Sequence, residues 1–191
     1  MPAITVTPGQ GPHGAKVVVA GTGFSVSTPL ASLVFDSVTI LVASCTSGSL
    51  TSDASGAFTC TFAVPAATSG TTVTATDAGG RTGTGTFTVT VPAITLSPVQ
   101  GPTGISTVAT GTGFSPSVTV ALTISAGGTL TGSCSATVAS DGTFTCSSVA
   151  VSGVAAAYTI TATGSDIAAV PNDTAGTTFT ITTPAITLSP V

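Results

Sequence analysis

The chain has 191 residues, only 4% of them charged, and a formal net charge of −4. Ordinary soluble domains carry about 25% charged residues, so the surface must be built of Thr, Ser, Gly and Ala. With only two basic residues, Lys16 and Arg81, the cationic footprint of a nucleic-acid binder is excluded, and no run approaches the roughly 18 apolar residues of a spanning helix.

In chain order, "AITVT" from Ala3 reads as a first strand. The turn "GQGPHG" leads into a Val-rich second strand, "AKVVVAG" from Ala15. "GTGFS" at Gly21 reads as a tight turn or bulge whose glycines supply φ > 0, with Phe24 plugging the end of a core. It precedes no helix and no Lys, so it is not a phosphate loop. "SLVFDSVTILVASC" from Ser32 holds one or two strands with a kink near Asp36. After the turn "SDASG", the stretch "AFTCTFAV" alternates, which places Phe58, Cys60, Phe62 and Val64 on one face. "TTVTATD" and "TGTFTVTV" complete about seven short strands, rich in the β-branched residues that suit a pleated surface.

At Pro92 the pattern begins again. "PAITLSPVQGP" repeats "PAITVTPGQGP" of Pro2, and "PAITLSPV" recurs from Pro184, giving spacings of 92 − 2 = 90 and 184 − 92 = 92 residues. "GTGFS" returns at Gly111, "SDGTFTC" ending at Cys146 echoes "SDASGAFTC" ending at Cys60, and "TFTIT" echoes "TFTVT". This period exceeds that of solenoid repeats and suits a small domain. The expected architecture is all-β: two tandem Ig-like Greek-key β-sandwich domains of about seven strands each. Residues 2–91 form the first, 92–183 the second, and 184–191 the first strand of a third. Met1 runs directly into the first copy with no signal peptide, so the chain reads as a piece of a longer protein. A cut array is the favoured reading of Pro184–Val191; the alternative is a donor strand that completes a neighbour's sheet.

Each repeat holds two cysteines at corresponding places, Cys45 with Cys60 and Cys134 with Cys146. A disulfide inside each domain is favoured and implies an oxidising, extracellular compartment. The alternative is four buried free thiols. One His and no CxxC give a poor metal-ligand set, so neither metal nor cofactor is expected. Single Asp residues at 36, 77 and 166 give only weak support to calcium. Asp53 and Asp141 occupy matching hairpin turns, where a short carboxylate caps backbone N–H groups.

No enzyme is expected, because paired acid–base groups are missing. His13 reads as an exposed turn residue, and the second repeat has Thr103 in its place. Asn172, in "NDT", is a candidate glycosylation site.

The run "GPHGAKVVVAGTGFS", with "SDASGAFTCTFAVP", "TTVTATDAGG" and a closing "TFTVT", resembles the tandem Ig-like repeats of bacterial and archaeal surface proteins. It is similar, more distantly, to the neocarzinostatin-type sandwich, whose aromatic-ligand cleft is not carried over to a chain with no Trp. The surface-repeat resemblance implies a spacer in a stalk, a fibre or a cell envelope. The junction "FTVTV-PAIT" has no Gly/Ser linker, and Pro92 and Pro184 stiffen the step, so a rod with a fixed twist is expected. The expected function is a structural extracellular repeat whose partners are copies of itself or neighbouring repeats, self-associating with little salt sensitivity. The alternative is an adhesin or a carbohydrate-binding accessory module that takes surface glycans. Tyr158 is the one candidate contact for the latter, although its strand favours core packing.

Overall fold

The structure is a computed structural model and describes residues 1–66, 72–132, 134–165 and 173–185. Its elements are strands, apart from one turn of 3₁₀ helix at Val42–Ser44.

The first unit contains β1 (Ala3–Thr7), β2 (Gln10–Gly11), β3 (Lys16–Thr22), β4 (Leu30–Phe35), β5 (Val38–Thr39), β6 (Ser47–Ser49), β7 (Phe58–Ala63), β8 (Thr72–Asp77), β9 (Thr82–Thr86) and β10 (Thr88–Val89). One sheet has the order β1-β3-β7-β6 and the other β5-β4-β8-β9. The chain crosses between sheets after β3, β5 and β7, as in an immunoglobulin-like sandwich. The N-terminal edge also changes sheet: β1 is antiparallel to β3, whereas β2 is parallel to β10. The expected strands are present as β1, β3, β4 with the short β5 beyond Asp36, β7, β8, and β9 with β10; β2 and β6 lie outside the stretches expected to be strands.

The second unit repeats the order of the longer strands with β11 (Ala93–Ser97), β12 (Gln100–Gly101), β13 (Ile105–Thr112), β14 (Thr119–Ile124), β15 (Thr129–Thr131), β16 (Ala136–Thr137), β17 (Phe144–Ser152), β18 (Ala157–Gly164) and β19 (Thr174–Ile181); β16 pairs with the start of β14, where the first unit has only a Pro29–Thr51 bridge. Its sheets are β11-β13-β17-β15 and β12-β19-β18-β14-β16.

Alternation decides what is buried. Along β7, Phe58, Cys60 and Phe62 face inward while Thr59 and Ala63 face solvent. The buried apolar residues form two separate clusters, one running from Ala15 to Phe87 and the other from Ile94 to Ile181. In the first, Phe35 meets Phe62 and Phe87 edge to face, with centroids 6.3 and 5.6 Å apart. Burying such a side chain contributes about 1.5–3 kcal/mol.

The two glycines of each "GTG" serve different ends. Gly23 and Gly113 both have φ of 76° and make the turn. Gly21 and Gly111 lie in strands beneath the rings of Phe58 and Phe144, where a Cβ would collide with the ring. Each of those rings then packs edge to face with the phenylalanine of its "GTGF", Phe24 at 5.3 Å and Phe114 at 5.0 Å.

Disulfides join Cys45 to Cys60 and Cys134 to Cys146, both with a Cα–Cα distance of 5.3 Å. Each ties the segment ahead of the hairpin turn to the buried face of the strand that follows it.

Candidate functional site

The chemistry-bearing side chains are dispersed and mostly engaged. His13 is not the exposed turn residue expected: it is half-buried, and its Nδ1 lies 2.8 Å from the Pro65 carbonyl. The Pro12–Gly14 turn that carries it is covered by the second unit, a tertiary contact that local sequence does not encode. Tyr158 is buried, and its hydroxyl donates to the Val154 carbonyl at 3.0 Å. It therefore offers no aromatic face to a sugar ring. Among the described residues no group of three His, Cys, Asp or Glu side chains is placed to hold a metal. Asp36 lies in the β4–β5 turn with φ of 54°. Asn172 and Asp166 lie outside the described residues.

Asp77 ends β8 and is buried. Its Oδ1 accepts from the Gly79 and Arg81 N–H groups at 2.9 and 3.0 Å. Its Oδ2 accepts from the Ser25 N–H and hydroxyl, both at 3.0 Å, and from Arg81 Nε at 2.9 Å. Burial pushes this carboxyl up, but the Arg81 and Ser25 hydrogen bonds outweigh it and hold it at about 2, below the ordinary 3.8. Its oxygens thus hold the loops at this end of the sandwich together.

The second unit solves the same problem differently. The Asp77 N–H donates to the Arg81 carbonyl, and the corresponding bond runs from the Gly164 N–H to the Asp173 carbonyl. Gly164 therefore stands where Asp77 does, and Asp173 where Arg81 does. The carboxylate has moved across the loop, yet Asp173 is buried and accepts from the Ser115 N–H, the counterpart of Ser25. The sequence reading missed Asp173. The repeated "GFS" of Ser25 and Ser115 was the available signal, since both serines need an acceptor.

The hairpin carboxylates are displaced too. Asp53 opens its turn and accepts from the Ser55 hydroxyl and N–H at 2.6 and 2.8 Å and from the Ala57 N–H at 2.9 Å. These bonds, the Ser55 hydroxyl first, lower its pKa. Asp141 sits at the position equivalent to Ser55 and accepts from the Thr143 N–H and hydroxyl, the hydroxyl being the main cause of its lowered pKa.

The best-defined composite surface is the junction between the units. Only residues 90–92 separate β10 from β11. Pro12 is buried, and a Cβ built on Gly142 would lie 2.8 Å from its Cγ. A Cβ on Gly14 would lie 3.7 Å from Cδ of Pro116, and one on Gly113 would press on the Val91–Pro92 peptide. Grooves flank the contact: one passes Gln10, Thr90 and Asp141, the other Lys16, Pro116 and Ser140. The pieces are backbone, proline and small polar groups. They can hold two bodies together, with Lys16 and Asp141 in separate flanking grooves.

No protein-family model matches this sequence, and no curated protein does. Among solved structures, the chain is similar to the Yersinia pseudotuberculosis adhesin InvE (15% identity, 95% of this chain and 59% of that one, TM-score 0.36). It is also similar to the I9–I11 tandem of titin (14%, 95% and 66%, TM-score 0.43). A third is a tetra-tandem repeat from the extending region of a large adhesion protein (21%, 94% and 49%, TM-score 0.36). The chain thus spans between half and two thirds of these structures, and likeness at this level says nothing of activity or partner.

Proposed function

We propose that this chain is a structural extracellular repeat, a stiff spacer in a stalk or fibre of a prokaryotic cell surface, with no chemistry of its own. Residues 2–91 and 92–183 are its domains, and 184–191 begin the next one. The observation that supports this reading most is the linkerless junction, in which Pro12 of the first unit is buried against Gly142 of the second. A hinge would need flexible residues and free surfaces, and neither is present there. One disulfide in each unit suits an oxidising exterior. Burial of Tyr158 removes the one aromatic contact a carbohydrate-binding role would have used. Small-angle scattering on the dilute monomer tests the spacer reading. A rod-like profile with one defined pair-distance maximum is expected; a broad ensemble of two independently tumbling bodies would refute it.

A further inference from the structure

The polar cluster at the end of the first unit is closed by a cation, and the second unit has no cation of its own. In the first, the Arg81 guanidinium bridges the Asp77 carboxylate at 2.9 Å and the Ser25 hydroxyl at 2.8 Å. The second keeps the carboxylate and the serine as Asp173 and Ser115, exposed by only 7% and 1%. It does not keep the base. Lys16, Arg81 and the one histidine, His13, all precede Pro92, so residues 92–183 hold no side chain able to carry positive charge. Lys16 approaches across the junction, in the groove beside Pro116 and Ser117, yet the one ion pair among the described residues is Arg81 with Asp77.

A buried carboxylate is paired with a cation or coordinates a metal, because stripping it of water without compensation is prohibitively costly. A second observation at the same place points to a ligand. Ser115 Oγ is buried with no hydrogen-bond partner among the described residues, whereas Ser25 Oγ both donates to Asp77 and accepts from Arg81. The Ser115 N–H donates to Asp173 Oδ2, so the hydroxyl oxygen on the same residue stands beside that carboxylate. Carboxylate and hydroxyl oxygens are hard donors. They suit small hard cations, whose remaining ligands are carbonyl oxygens and water. The poor His and Cys set that spoke against a metal concerns softer ions. In the first unit the guanidinium's place is open to solvent, the Arg81 side chain being 49% exposed.

We propose that a small hard cation, calcium or sodium, binds between the Asp173 carboxylate and the Ser115 hydroxyl of the second unit and supplies the charge that Arg81 supplies in the first. The inference goes beyond the spacer reading and does not rest on it. One carboxylate makes a weak site, so half-saturation with calcium is expected at about 10⁻⁴–10⁻³ M, as in extracellular modules. The cation stabilises the second unit by mass action: well above half-saturation, each tenfold rise in its concentration raises the folded-to-unfolded ratio about tenfold.

The test is a ¹H–¹⁵N NMR titration of the whole chelator-treated chain, with calcium chloride and sodium chloride in separate arms. Choline chloride at matched ionic strength is the control, since its bulky cation cannot enter between two side chains. The Ser115, Gly164 and Asp173 amides should shift and saturate in at least one arm, while Ser25 and Asp77 stay still; the tighter arm identifies the ion. Asp173→Asn, which keeps the shape and removes the charge, should weaken binding about tenfold or more. Ser115→Ala should weaken it about tenfold while leaving the fold of the cation-free chain intact. No saturable shift at Ser115 in either arm overturns the proposal. So does a shift that survives Asp173→Asn, or one that Ser25 and Asp77 share equally, which would mark general screening of an acidic surface. If Asp173→Asn fails to fold, Ser115→Ala decides: unchanged affinity in that variant overturns the site, and the expected loss supports it.

Discussion

The two units share a chain path but not their polar fastenings. In the first, a buried carboxylate at the end of β8 meets an arginine and a serine; in the second, the carboxylate stands across the loop, on the arginine's position. Both arrangements give the "GFS" serine N–H its acceptor. The first also engages the serine hydroxyl, which accepts from Arg81 Nη2 at 2.8 Å and donates to Asp77 at 3.0 Å. In the second, the buried Ser115 hydroxyl has no hydrogen-bond partner among the described residues. The fold thus demands an acceptor at a place in space, and sequence position is free to vary around it.

Core substitutions should break the comparison most forcibly. Phe58→Ala should destabilise the first unit by about 3–5 kcal/mol, and Phe144→Ala the second by as much. Calorimetry should show one transition moving while the other stays. If both move together, the units fold as one body.

Removing a disulfide comes next. Pairwise replacement of Cys45 and Cys60 by Ala, or of Cys134 and Cys146, opens loops of similar size, with sequence separations of 15 and 12. Each should cost about 3 kcal/mol in its own unit, measured by denaturant titration.

The serines sharpen the contrast. Ser25→Ala breaks bonds to Asp77 and Arg81 and should cost about 1 kcal/mol, whereas Ser115→Ala removes a hydroxyl without a partner and should be neutral or slightly stabilising. Equal losses in the two melts would contradict the difference between the fastenings.

The smallest effect at neutral pH is the titration of Asp77. Its folded pKa lies below its unfolded one, so its contribution is fully present above pH 4 and is lost as pH falls from 3.8 towards 2. Asp77→Asn should flatten this acid limb in the first unit's melting curve. An unchanged limb would show that other carboxylates carry it.

Strand positions were largely legible, because alternation such as Phe58, Cys60, Phe62 directly encodes a half-buried strand. The repeat register and the inward cysteines followed from the same pattern. What the sequence hid was tertiary. Nothing local marks Pro12 and His13 as covered by a following unit. Nothing in "NDT" marks Asp173 as the counterpart of Arg81, because loop length hides the alignment. The first glycine of "GTGF" looked like a turn residue, yet it makes room for a phenylalanine ring from a strand distant in sequence.

The most direct test of the central claim, that the junction fixes one unit against the other, is a set of backbone residual dipolar couplings fitted separately for each unit. Alignment tensors of the same magnitude, rhombicity and orientation are the expected result, with Pro12→Gly reducing the agreement. Tensors that differ in magnitude in the unmodified chain would mean that the units move independently, and would contradict it.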